Sequence, residues 1–153
     1  MPRTKERRKI DHTPSTPEIL ICLNCMPLYK RILADHRAGK LYSDFLKWLI
    51  EKDLYKVLEE KITIKKIAAD FKNDTARVTK WIREICDDIF ELNYEKPELF
   101  QKSGTKVDVD FRNYDDYCTF YTSLPVVPRE FEKVSFPFVK AKVGIEWFWV
   151  KNS

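Results

Sequence analysis

The sequence predicts an α+β protein: a helical bundle over the first two-thirds, followed by a small antiparallel β-sheet. Three observations carry that expectation. Apolar residues recur at helical spacing through the middle of the chain, from Leu28 to Ile89. From Lys106 onward the period drops to two, as in the run VDVDF. Glycine is scarce, and Gly39 and Gly144 both fall at expected breaks between elements. The expected organisation is a basic arm and linker over 1–17, a helical unit over 18–100, and an antiparallel β region over 105–153.

Taken in order, the first nine residues, MPRTKERRK, carry five cations and one acid. They lack the apolar run of a secretory signal. Such a head reads either as a solvated tail or as an arm that follows a phosphate backbone or enters a minor groove. IDHTPSTP, residues 10 to 17, reads as an extended linker. Ile19 to Leu23 is either a short strand or the start of a helix interrupted by Pro27. Leu28 to Arg37 reads as a helix with Gly39 beyond it as a stop signal. Ser43 to Lys61 reads as a stronger helix, with Phe45, Leu46, Leu49, Ile50, Leu54, Val57 and Leu58 on its apolar face.

The most informative stretch is ITIKKIAADFKNDTARVTKWIREI, residues 62 to 85. Ile64, Ile67, Ala68 and Phe71 form one apolar stripe behind Thr63, a suitable N-cap. Lys72-Asn73-Asp74 interrupts the pattern, and Asp74 is placed to cap a second helix. There Val78, Trp81, Ile82, Ile85 and Ile89 form the buried stripe, while Ala76, Arg77, Thr79, Lys80 and Arg83 point away. Two short amphipathic helices around a tight turn match a helix-turn-helix, expected over residues 63–92.

The run from Ala68 to Val78 resembles the helix-turn-helix of bacterial regulators, resolvases and homeodomain-like or winged-helix modules. Those families place a small residue, then an apolar residue three positions on, then another ten positions after the first; Ala68, Phe71 and Val78 occupy these places. Val78-Thr79-Lys80-Trp81-Ile82 resembles their recognition helix. Lys72 stands where the family usually has glycine, and Asn73 where it has an apolar residue. Lys72 must therefore take a positive φ at some cost, or the turn must differ.

The resemblance implies binding to double-stranded DNA, and the local charge agrees. Lys65, Lys66, Lys72, Arg77, Lys80 and Arg83 face only Asp70 and Asp74 between residues 63 and 83. Beyond them Glu84, Asp87, Asp88 and Glu91 make the helix acidic, which confines a contact to its first two turns. The candidate DNA-binding residues are Lys65, Lys66, Thr75, Ala76, Arg77, Thr79, Lys80 and Arg83. Arg77 and Lys80 lie where recognition helices touch base edges, Thr79 can meet a base or a phosphate, and Lys65 and Lys66 suit backbone phosphates. The bland alternative is a helical pair with a solvated basic face.

After a connector over Asn93 to Gly104, the β region is expected to hold strands at VDVDF, Tyr117 to Ser123, Val134 to Lys142 and Ile145 to Val150. It reads as an enlarged wing or a compact β appendage packed on the helices. Asp108 and Asp110 share a strand face, with Asp115 and Asp116 nearby; such carboxylates can hold Mg²⁺ in a nuclease, but more often form a wet face. Trp147 and Trp149 share a face opposite Phe148, and burial in a core or partner is the expected use of these rings over a stacking platform for single strands. Cys22 and Cys25 form C-x-x-C without a second pair at zinc spacing, so Cys22, Cys25, Cys86 and Cys118 read as ordinary thiols and no cofactor is expected.

At 153 residues, 44% of them hydrophobic, with formal charge +4, the chain has enough apolar material for a core and only a local basic surface. No apolar run is long enough to span a membrane. No Gly-rich phosphate loop or nucleophile elbow is present. The sequence therefore points to a cytoplasmic, non-enzymatic DNA-binding regulator or accessory factor. A homodimer through the C-terminal strands is a possible addition. A protein-interaction module using the aromatic sheet is the second reading, and a Mg²⁺-dependent nuclease or recombinase-like protein the third.

Overall fold

In the computed structural model, residues 14–52 and 63–151 are described. The basic arm, the start of the linker, and the second half of the helix read over residues 43 to 61 lie outside the described residues. The described residues form an α+β fold with six α-helices and two separate two-stranded antiparallel sheets.

Helix α1, Thr16–Asn24, starts two residues earlier than the linker reading allowed. Ser15 and Glu18 make a reciprocal capping box, and Pro17 lies in the first turn, where its missing N–H costs nothing. The choice between strand and helix for Ile19 to Leu23 is settled as helix, because this cap outweighs the apolar run. Pro27 opens α2, Pro27–His36, and does not merely interrupt what precedes it. Gly39 at φ +87 follows as the stop. Helix α3, Ser43–Glu51, ends where Lys52 turns extended. The Lys52 Nζ lies 4.6 Å from the Trp48 ring centroid and 3.5 Å from Asp70 Oδ2.

The stretch read as a helix-turn-helix forms two helices, α4, Ile64–Asp70, and α5, Thr75–Glu95. Helix α5 continues past the expected connector start at Asn93, and a 3₁₀ turn at Pro97–Leu99 leads out. Strands β1, Thr105–Asn113, and β2, Asp116–Leu124, form a hairpin in the register Asn113↔Asp116 to Thr105↔Leu124.

The expected strand over Val134 to Lys142 is mostly not a strand. Only Lys133–Ser135 pairs, as β3. Pro137 then lacks the N–H a strand needs and opens a 3₁₀ turn, Pro137–Val139, that runs into α6, Lys140–Val143. Gly144 ends α6 in the left-handed region at φ +81. Strand β4, Trp147–Trp149, pairs antiparallel with β3.

One continuous core joins helices and sheets. Leu23, Leu33, Phe45, Leu49, Val78, Ile82, Ile85, Ile89, Phe120, Val139 and Val143 are all fully buried within it. Its aromatic part has two centres. Tyr29, Phe90, Phe100, Phe111, Phe120, Phe136, Phe138 and Phe148 weld the sheets to the helices. Phe45, Trp48, Phe71 and Trp81 lock α3 behind the helix-turn-helix. Buried Asn93 completes the join: its amide accepts from the Tyr121 N–H at 2.9 Å and donates to the Tyr121 C=O at 2.7 Å. At Tyr121 the free edge of β2 is thereby satisfied from α5.

Candidate nucleic-acid interface

The site is built by two caps and one turn. The Thr63 side chain accepts from the Lys66 N–H at 3.2 Å and starts α4. At the other end, the Lys72 N–H donates to the Ala69 C=O at 3.1 Å and the Asn73 N–H to the Ala68 C=O at 2.9 Å. This is a Schellman closure, with Lys72 at φ +56 in the left-handed place that glycine usually fills. Of the two alternatives posed by the sequence, lysine thus adopts the positive φ and keeps the turn. Asp74 then caps α5, accepting the Arg77 N–H at 2.8 Å.

The stripe on α5 is buried as its spacing requires: Val78, Trp81, Ile82, Ile85 and Ile89 all face the core. Thr75, Ala76, Arg77 and Lys80 are exposed on the first two turns, and Thr79 is half-buried. The Arg77 side chain is 61% exposed and that of Lys80 72%. Their acidic neighbours hold them loosely: Arg77 Nε lies 3.8 Å from Asp74 and Lys80 Nζ 3.7 Å from Glu84. Exposed pairs of this kind are worth little and are readily exchanged for another anion. Lys65 and Lys66 are exposed on α4.

Arg83 is placed differently from the rest. Its guanidinium donates to the Pro14 C=O at 3.1 Å and to Thr16 Oγ1 at 3.4 Å, so it ties α5 to the start of α1. Lys72, absent from the sequence-derived set, is exposed at the turn between the two helices. Its position in place of the usual glycine was the signal that could have found it: a left-handed residue at a turn projects its side chain outward.

The other chemistry-bearing groups are occupied elsewhere. Asp110 accepts from Thr119 Oγ1 at 2.6 Å and Asp108 from Gln101 Nε2 at 3.2 Å, both on the wet face of β1. Among the described residues, no three His, Cys, Asp or Glu side chains gather as they would around a metal ion. The four thiols are free, and burial raises each of them: Cys22 and Cys118 to about 11, Cys86 to about 12, and Cys25 in the same direction. Such thiols stay protonated and are weak nucleophiles near neutrality. Burial lowers the Lys30 ammonium on α2, with Arg31 adding to the effect.

No helix among the described residues is long and apolar enough to cross a membrane. The outward rings of β4 are not core: Trp147 is 54% exposed and Trp149 68%, while Phe148 packs 5.0 Å from Phe111. Of the two places the sequence offers these tryptophans, the core takes neither. No protein-family model, curated protein or solved structure is matched by this chain.

Proposed function

We propose that the protein binds double-stranded DNA without catalysing a reaction on it, as a transcriptional regulator or accessory factor. The first two turns of α5 enter the major groove. Arg77 and Lys80 reach base edges, Thr75, Ala76 and Thr79 line the contact, and Lys65 and Lys66 meet phosphates. The observation that carries this reading is the conjunction at α5: capped by Asp74 and braced behind by Phe45, Phe71 and Trp81, yet holding Arg77 and Lys80 out in solvent. A rigid element with loosely held cations suits a phosphate-rich groove, because little order remains to be imposed on binding. Arg83 supports the contact indirectly, by fixing α5 to α1.

The test is fluorescence anisotropy of mixed-sequence duplex DNA at roughly 50 and 200 mM salt, where counterion release is diagnostic. Affinity should fall steeply with salt. The Arg77→Ala/Lys80→Ala variant should bind duplex DNA more weakly while keeping its helical circular dichroism. No binding at the lower salt, or an unchanged affinity in the variant, sinks this assignment.

A second reading is a non-catalytic protein-interaction module, and one observation favours it: the exposed Trp147 and Trp149 on a short sheet. The two readings are compatible if the sheet supplies the homodimer contact that a two-half-site DNA binder uses.

A further inference from the structure

The free edges of the strands are managed unequally. On β2, the outward main chain of Tyr121 is taken up by Asn93. The wet face of β1 carries Lys106, Asp108, Asp110 and Arg112, charges of the kind that discourage edge pairing. Next to β3 lies a bulge. The Phe131 N–H donates to the Val150 C=O at 2.7 Å and the Val150 N–H to the Glu132 C=O at 2.9 Å, with Phe131 in the left-handed region at φ +68. Lys133 follows it on the strand. Strand β4, Trp-Phe-Trp, carries no charge, proline or bulge, and among the described residues no side chain bonds to its main chain.

The direction of its main chain follows from the ladder. Glu146 and Val150 are bonded to the β3 side, through the Phe136 N–H to the Glu146 C=O at 2.8 Å and the Val150 pair above. Alternation in an antiparallel ladder then turns the N–H and C=O of Trp147 and Trp149 to the open edge. Their side chains lie on the solvent face with Lys133 and Ser135, and Lys133 Nζ sits 5.1 Å from the Trp147 ring centroid. Large rings and unpaired main chain therefore occur together at one place.

We propose that this edge pairs with the same edge of a second copy of the chain, giving a four-stranded sheet β3–β4–β4–β3 about a two-fold axis at Phe148. The segment is suited to this because Trp-Phe-Trp is its own reverse. An antiparallel pairing centred on Phe148 sets Trp147 opposite Trp149 of the second copy, and Trp149 opposite its Trp147. These are the hydrogen-bonded pairs that the outward main chain requires. Further out, Ile145 meets Lys151 of the second copy and Glu146 meets its Val150, so no like charges are brought opposite. The flanking charges, Arg129, Lys133 and Lys151 against Glu130, Glu132 and Glu146, balance one another. A balanced rim fits a self-complementary interface; a nucleic-acid strand calls for a basic one. The pairing needs no DNA, so it stands or falls apart from the proposed function.

Trp149→Pro tests it. The ladder to β3 does not use the Trp149 N–H, and proline is tolerated on an edge strand whose N–H faces outward. Sedimentation velocity of the full chain, from about 1 to about 100 µM to span ordinary dimer affinities, should show a monomer–dimer equilibrium. Trp149→Pro should remain monomeric throughout with an unchanged circular dichroism spectrum. Trp147→Lys/Trp149→Lys should do the same, which covers the case in which the proline variant fails to fold. In the wild-type dimer the amides of Trp147 and Trp149 should gain hydrogen-exchange protection with concentration. A chain that stays monomeric across this range overturns the proposal. So does a dimer that survives the lysine variant. A monomer whose indole fluorescence is quenched by single-stranded DNA would also overturn it, and would assign the edge to nucleic acid instead.

Discussion

Lys72→Gly should stabilise this protein and, on the proposed function, weaken its binding to DNA. Lys72 holds φ +56 to close the Schellman turn between α4 and α5. The left-handed region costs an L-residue roughly 1–2 kcal/mol, because Cβ crowds the following carbonyl. Glycine escapes that crowding but loses about 0.5–1 kcal/mol through its greater freedom in the unfolded chain. The balance is a gain of about 0.5–1 kcal/mol. For a chain of this length each kcal/mol raises Tm by about 2–4 °C, so the expected rise is about 1–4 °C. Differential scanning calorimetry of wild type, Lys72→Gly and Lys72→Ala reads it. Alanine keeps the offending Cβ and should give no gain, which separates relief of strain from removal of charge. The same substitution removes an exposed cation from the turn, so the anisotropy salt slope should shrink by about 0.9 if Lys72 meets a phosphate. A glycine variant no more stable than wild type, or an alanine variant stabilised equally, refutes the strain argument.

Two further outcomes follow from buried groups. Val78→Asp places a carboxylate where Val78 is wholly buried at the heart of the helix pair. The cost is on the order of several kcal/mol, enough to remove most of a domain's stability, so helical circular dichroism should be lost; a folded variant would show that α5 is not packed as described. Above neutrality the thiols give the sign. Burial lifts Cys22, Cys118 and Cys86 from the ordinary 9.0 to about 11, 11 and 12, so the folded chain keeps protons that the unfolded chain releases. That contribution is complete below about pH 9 and is lost as pH rises through about 11 to 12, so the urea midpoint should fall between about pH 7.5 and about pH 10.5. Replacing Cys86 with alanine should flatten the fall, and a flat profile in wild type would contradict the burial of these thiols.

Much of the α4–α5 pair was legible because its signals are local. Thr63 and Asp74 cap within one turn of chain, and the stripe Val78, Trp81, Ile82, Ile85, Ile89 is fixed by helical periodicity alone. The same holds for β1, where alternation put Asp108 and Asp110 together on the exposed face. The failures have physical causes too. Ser15 with Glu18 outweighed the turn-like composition around Pro14 and Pro17, so α1 began inside the supposed linker. Pro137 broke the run from Val134 to Lys142, which the sequence reads as a strand.

Sequence by itself determined the caps Thr63 and Asp74, the interruption at 72–74, the basic first turns of α5 and the alternation of β1, because each depends on residues within a few positions of one another. Tertiary structure alone decided the fate of groups that meet across long separations. It tied the candidate contact Arg83 to the start of α1, and it set Asn93 against the edge of β2. It also buried Phe148 on Phe111 while leaving Trp147 and Trp149 in solvent. A periodic pattern says which side chains share a face, but only the packing of distant elements says which faces are covered.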